Sequence, residues 1–125
     1  MASELRVNTL KDASGNNSIG MSYVSNGSAK AWASVYYSSG TPTASNSFNI
    51  SSLSDDGTGD YDANFTSDMD SANYGAGAIA IHNTRVAAFN ATNASFFNIK
   101  VYDISVGATS ASDSSSRFAI HGDLA

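Results

Sequence analysis

The chain has no cysteine in its 125 residues. A disulfide framework, a thiolate nucleophile and any cysteine-based zinc site are therefore excluded. Charge is scarce as well. Asp, Glu, Lys and Arg together make up 14% of the chain, against about 25% in ordinary soluble domains. The polar surface must then be built from Ser, Thr, Asn and Gly, a composition that suits extracellular proteins and equally suits a chain packed against copies of itself. Positive charge is scarcest of all. Arg6, Lys11, Lys30, Arg85, Lys100 and Arg117 stand singly in a chain of net charge −5. Nucleic acid and anionic membranes are held by basic stripes or clusters, so no nucleic acid and no membrane insertion are expected. The opening MASELRVNTLKDASG carries charges where an export signal needs an apolar core, and no window approaches a membrane span. Synthesis in a cytoplasm without export is the expectation. Helical periodicity is missing too: no window holds a 3.6-residue apolar repeat over three turns.

What is present is alternation with a period of two, the signature of half-buried strands. Leu5, Val7 and Thr9 alternate, then Ile19, Met21 and Tyr23. Lys30–Tyr37 sets Ala31, Ala33 and Val35 on one face and Trp32 on the other. Phe48 and Ile50 alternate until the spacing changes at Leu53, which predicts a bulge or a strand end. Tyr61, Ala63 and Phe65 oppose Asp60, Asp62 and Asn64. Tyr74–Ile81 reads as a small-residue strand, Phe96–Tyr102 as an alternating one and Arg117–His121 as the last. Turn-rich stretches at 25–28, 38–45, 55–59 and 107–116 separate them. The chain length fits one domain, which can bury about two-thirds of its unfolded surface without staples. Short strands with Gly/Ser/Asp turns and no helical crossovers predict an all-β antiparallel sandwich, jelly-roll-like or Ig-like, over residues 28–125. Residues 1–27 carry few aromatics and a polar break, SGNNS. They read as an N-terminal arm whose Leu5, Val7 and Leu10 need an outside partner, or else as an ordinary first edge strand.

Several residue groups invite a chemical reading. Asp55, Asp56, Asp60 and Asp62 could offer oxygens to calcium, but no Glu closes an EF-hand loop, and Asp with Gly is what a hairpin turn demands. Asp60/Asp62 and Asp68/Asp70 could form carboxylate pairs, although i, i+2 pairs on a strand are ordinarily solvated surface. His82 and His121, the only histidines, lack a nucleophile elbow to serve and read as surface or interface residues. No catalytic residue, metal or cofactor is therefore expected. Trp32, Tyr36 and Tyr37 could stack on a glycan or pack against core or subunit.

One run carries more identity than chemistry. The strings AKAW at 29–32, SFNISSLSDDGTGDY at 47–61, NFTSDM at 64–69 and ANY at 72–74, in that order, resemble a domain of structural proteins from marine tailed phages, cyanophages especially. LRVNTLKDASGNNSIG at 5–20 and AIHGDLA at 119–125 are similar to segments that flank it in those proteins. A proline that the pattern often places near Asp70 is absent, and residues 82–116 have no counterpart in the resemblance. It implies a non-enzymatic virion protein assembled in the bacterial cytoplasm: a homotrimeric fibre- or knob-like surface module aiding attachment to the host. Loops around Tyr36–Thr43 and Ala88–Ser95 are expected to touch host glycans. The arm around Leu5, Val7 and Leu10 would join other virion proteins. A short chain starting at Met1 favours a small separate protein over the tip of a long fibre. The alternative is a capsid or tail decoration protein that stabilises the particle.

Overall fold

The computed structural model describes residues 3–105 and 109–125. Eleven strands and one short helix follow in order: β1 (Thr9–Lys11), β2 (Ser18–Gly20), α1 (Met21–Gly27), β3 (Ala29–Ser38), β4 (Thr41–Phe48), β5 (Ile50–Gly57), β6 (Asp60–Phe65), β7 (Gly75–Ala80), β8 (Arg85–Thr92), β9 (Phe96–Asp103), β10 (Ser110–Ala111) and β11 (Ser116–His121). All strand pairs are antiparallel. Sheet I runs β4-β3-β11-β7. Sheet II runs β5-β6-β9-β8, with β10 taking the same side of β9 as β6. The fold is an all-β sandwich, as the alternating runs predict.

Alternation decides what lies between the layers. Sheet I contributes Ala31, Ala33, Val35, Phe118 and Ile120; sheet II contributes Tyr61, Ala63, Phe65, Phe97, Ile99 and Val101, all buried. Burial of each large side chain is worth about 1.5–3 kcal/mol. The layers interdigitate through aromatic rings: Phe97 lies 5.6 Å from Phe118 and 6.3 Å from Tyr74, which meets Phe65 at 6.0 Å. A buried hydrogen bond between the Tyr61 hydroxyl and Ser116 Oγ, 2.6 Å apart, crosses the core.

The chain changes sheets at corners. β4 and β5 form nearly one strand that bends at Asn49, whose φ of 57° is left-handed. Asparagine tolerates that region better than most residues. Its amide also fastens the corner: Oδ1 accepts from the Ser67 N–H at 2.8 Å, and Nδ2 donates to the Ser67 carbonyl at 3.0 Å. On the opposite side residues 81–84 carry the chain from β7 to β8. β7, β8 and β9 thus wrap one edge, and β11 returns beside β7, giving Greek-key order.

The hairpin predicted around Asp55–Gly59 is present as β5–β6, with register shifts between Ile50 and Ser52 and between Asp55 and Gly57. Other expectations are corrected. Met21 and Tyr23 do not alternate in a strand; they lie in α1. Met21 and Val24, three residues apart, are half-buried, and one turn of apolar spacing is too short for a periodicity signal. The Ser38–Ser45 turn shrinks to the two residues between β3 and β4, because Thr41–Phe48 continues as an edge strand that accommodates Pro42. β8 fills part of the stretch left unassigned by the resemblance. The start of the Gly107–Ser116 turn lies outside the described residues, and Ser110–Ala111 within it is β10. No helix among the described residues is long and apolar enough to cross a membrane.

Candidate functional site

The outer face of sheet I is built from residues that alternate with the core. Trp32 stands directly opposite Phe48 on β4 and Ala119 on β11. One pair further along, Arg117 is flanked by Ser34 and Ile79, and Tyr36 follows on β3. Phe48 is 53% and Ile79 63% exposed. Gly77 and Ala119, paired on β7 and β11, leave a shallow floor beside the Trp32 ring. The cations of this face are Lys30 and Arg117. Among the described residues Arg117 forms no ion pair; its Nε reaches Ser34 Oγ at 3.4 Å. The strand positions pointing outward here hold no carboxylate.

This face divides the aromatic trio expected from the sequence. Trp32 and Tyr36 lie on it, whereas Tyr37 points inward, its ring edge-on to Tyr61 at 6.2 Å. The Tyr37 hydroxyl is buried without a hydrogen-bond partner. Burial first, and the nearby charge of Asp113 second, push its ionisation far above the usual tyrosine range. Phe48, Ile79 and Arg117 are the members that sequence reasoning missed. The alternation at Phe48 was visible; the register that sets it against Trp32 was not.

Sheet II presents a different outer face. Asp60 and Asp62 alternate outward on β6, as expected. Between them sits the Asn98 side chain from β9, only 6% exposed, donating from Nδ2 to Asp60 Oδ1 at 3.0 Å and Asp62 Oδ1 at 2.8 Å. Lys100 Nζ meets Asp60 Oδ2 at 2.8 Å, and that hydrogen bond raises the lysine's ionisation. Slight desolvation, then the charges of Asp62, Asp60 and Asp55, push the Asp56 carboxyl above its ordinary value. Among the described residues no three His, Cys, Asp or Glu side chains gather into a metal-holding set. The two β6 carboxylates share one amide donor on an open sheet face. Asp68 and Asp70 do not lie in a strand; the backbone between them makes a single bridge, from Met69 to Leu124.

The two ends of the sandwich differ. At one, the β3–β4 and β5–β6 turns meet around Asp113, whose Oδ1 accepts from the Gly59 N–H at 2.6 Å. At the other, α1, the 70–74 segment, the β8–β9 turn and the C-terminal residues come together. There the Tyr74 hydroxyl donates to the Asn93 and Phe96 carbonyls, and the Met69 N–H donates to the Ala94 carbonyl. The two loops expected to touch host glycans, around Tyr36–Thr43 and Ala88–Ser95, sit at opposite ends. Beside α1 lies a cavity of about 280 Å³ lined by Asn26, Asp70, Asn73, Tyr74, His121 and Asp123. Its amides and carboxylates suit a hydroxyl-bearing ligand. His121 Nδ1 lies 3.1 Å from the Gly27 carbonyl, and His82 Nδ1 lies 3.0 Å from Thr84 Oγ1 at the opposite end of the chain's β7 strand.

Of the arm residues, Leu5 is 80% exposed, Val7 is half-buried, and Leu10 is exposed opposite Ile19 on the small β1–β2 ribbon. Comparisons with protein-family models, curated proteins and solved structures give no match for this chain.

Proposed function

We propose that this chain is a non-enzymatic structural protein of a tailed-phage virion, a homotrimeric surface module that aids attachment to host glycans. The observation that carries the reading is the outer face of sheet I, where Tyr36, Phe48 and Ile79 stand exposed and Trp32 half-buried around Arg117. Exposed aromatic and aliphatic residues clustered round an arginine are the composition of a protein contact. The resemblance supports the virion setting. Its strings fall on β3, the Asn49 corner, the β5–β6 hairpin and the 64–74 segment; most of this is scaffold, and Asn73 and Tyr74 line the cavity beside α1. In this reading the Leu10–Ile19 ribbon joins another virion protein, and the polar cavity beside α1 takes the glycan.

A second reading, a capsid or tail decoration protein, draws support from the two separate apolar surfaces, since a shell component touches neighbours on more than one side. Quantitative mass spectrometry of purified particles tests both. The expected result is the chain present in multiples of three; its absence from particles overturns both readings. A few trimers per particle favours the attachment module, and a copy number scaling with shell area favours decoration. Glycan binding is checked by titrating host lipopolysaccharide into the purified protein. Wild type is expected to bind, with Asp70→Asn plus Asp123→Asn weakening it at least tenfold; no binding by wild type removes the attachment role.

A further inference from the structure

We propose that the outer face of sheet I docks front to back on the outer face of sheet II of a second copy of this chain. The proposal rests on the self-association in the preceding reading but does not need the phage setting. Its basis is a division of charge. The chain is acidic overall, at −5, yet the outward strand positions of sheet I carry Lys30 and Arg117 with no carboxylate among them. Sheet II carries Asp56, Asp60 and Asp62 against Lys100 alone. Lys100 is committed to Asp60. Among the described residues Asp56 and Asp62 have no cationic partner, and neither has Arg117.

The positions also match. Arg117 is central on its face, between Ser34 and Ile79; Asp62 lies on an inner strand of the other, opposite Asn98. Asn98 holds Asp60 and Asp62 in place, so their oxygens are ordered before a partner arrives. A guanidinium suits such oxygens because its planar fork donates more than one bond. Apolar area accompanies the charge on both sides: Phe48 and Ile79 on sheet I, Val86 and Ala88 on β8 of sheet II. Two twisted sheets pack face to face in an aligned manner, the same way the two layers of this sandwich pack.

Size sets the strength. Four strands about 4.8 Å apart and about six residues long at ~3.3 Å each offer a patch of roughly 19 by 20 Å. That is roughly 380 Å² a side, below the standard range for a specific interface, so a single contact is weak and repetition must reinforce it. A front-to-back contact is heterologous, and because the two outer faces lie on opposite sides of the sandwich it extends into a column.

The test is sedimentation or light scattering of the purified chain from micromolar to near-millimolar concentration, at low and at 1 M salt. The expected result is a rise in mass above 12.9 kDa that weakens at high salt. Arg117→Glu and Asp62→Lys, each alone, should reduce association at least tenfold, and the two combined in one chain should restore it, because every contact regains opposite charges. Circular dichroism melts confirm that these surface variants fold. Association of wild type that neither single change weakens, or that Arg117→Glu weakens while Asp62→Lys does not, overturns the front-to-back contact and leaves an oligomer standing. A wild type that stays monomeric throughout overturns both the contact and the homotrimer. Mass that climbs without limit supports the contact and overturns the closed trimer; mass that plateaus at three copies supports the trimer and overturns the contact.

Discussion

Single residues hold this sandwich at two sites. Gly59 has φ of 65°, and a Cβ there would lie 2.6 Å from the Val101 carbonyl oxygen and 2.7 Å from the Ser112 nitrogen. All those neighbours are backbone and cannot swing aside. Gly59→Ala should therefore cost about 3 kcal/mol or more, read as a lowered urea midpoint. The second site is the bond between Tyr61 and Ser116. Tyr61→Phe leaves Ser116 Oγ buried without its partner, a loss of about 1–3 kcal/mol. Adding Ser116→Ala should recover part of that loss, since both polar groups are then gone; a double-mutant cycle measures the coupling. Tyr61 also sets a pH limit. Burial, opposed only by the Ser116 bond, pushes its ionisation up to about 12, above the unfolded value near 10. The stability tied to its protonated form is complete below pH 10. It is lost as pH rises from 10 toward 12, by at most about 1.4 kcal/mol per pH unit. Denaturation at pH 9, 10 and 11 should show this slope in wild type and a shallower one in Tyr61→Phe.

Among the elements, the Asn49 corner is the most informative. Asn49→Ala forfeits both bonds to Ser67 and adds left-handed backbone strain, whereas Asn49→Gly forfeits only the bonds. The glycine variant should be the milder by about 1 kcal/mol, measured by chemical denaturation. The strands that alternate strictly, β3, β6, β9 and β11, were legible in the sequence because burial on one face imposes the period. β8 was not. Its Val86 and Phe89 remain exposed, and the small residues in its run RVAAFNAT give alternation no contrast. α1 was hidden for a different reason: it is seven residues long, has no side-chain cap bond, and is kept by Lys30 and His121 reaching its last carbonyls. Those partners come from β3 and β11, so local sequence could not announce them. The exposed face of sheet I was half visible. Trp32 and Tyr36 could be named from spacing, but Phe48, Ile79 and Arg117 join them only through strand register.

At the scale of the molecule, order is unevenly distributed. β1 and β2 make a two-stranded sheet of their own, paired with neither layer. An isolated ribbon is marginally stable, so amide exchange of Thr9–Gly20 should be complete while β6, β9 and β11 still retain their protons; equal protection across both would show the ribbon to be locked to the sandwich. The chain also enters and leaves at one end. α1 leads into β3 beside His121, and the last residue donates its N–H to the Asp68 carbonyl there. The Ser39–Gly40 and Gly57–Gly59 turns occupy the far end, the second fastened to Asp113 and the first beside it. This gives the module a polarity like that of a plug with its leads on one side. A peptide grafted between Ser39 and Gly40 would be held a full strand length from anything tethered at the chain ends, so insertions there could lengthen without disturbing the attachment of the rest.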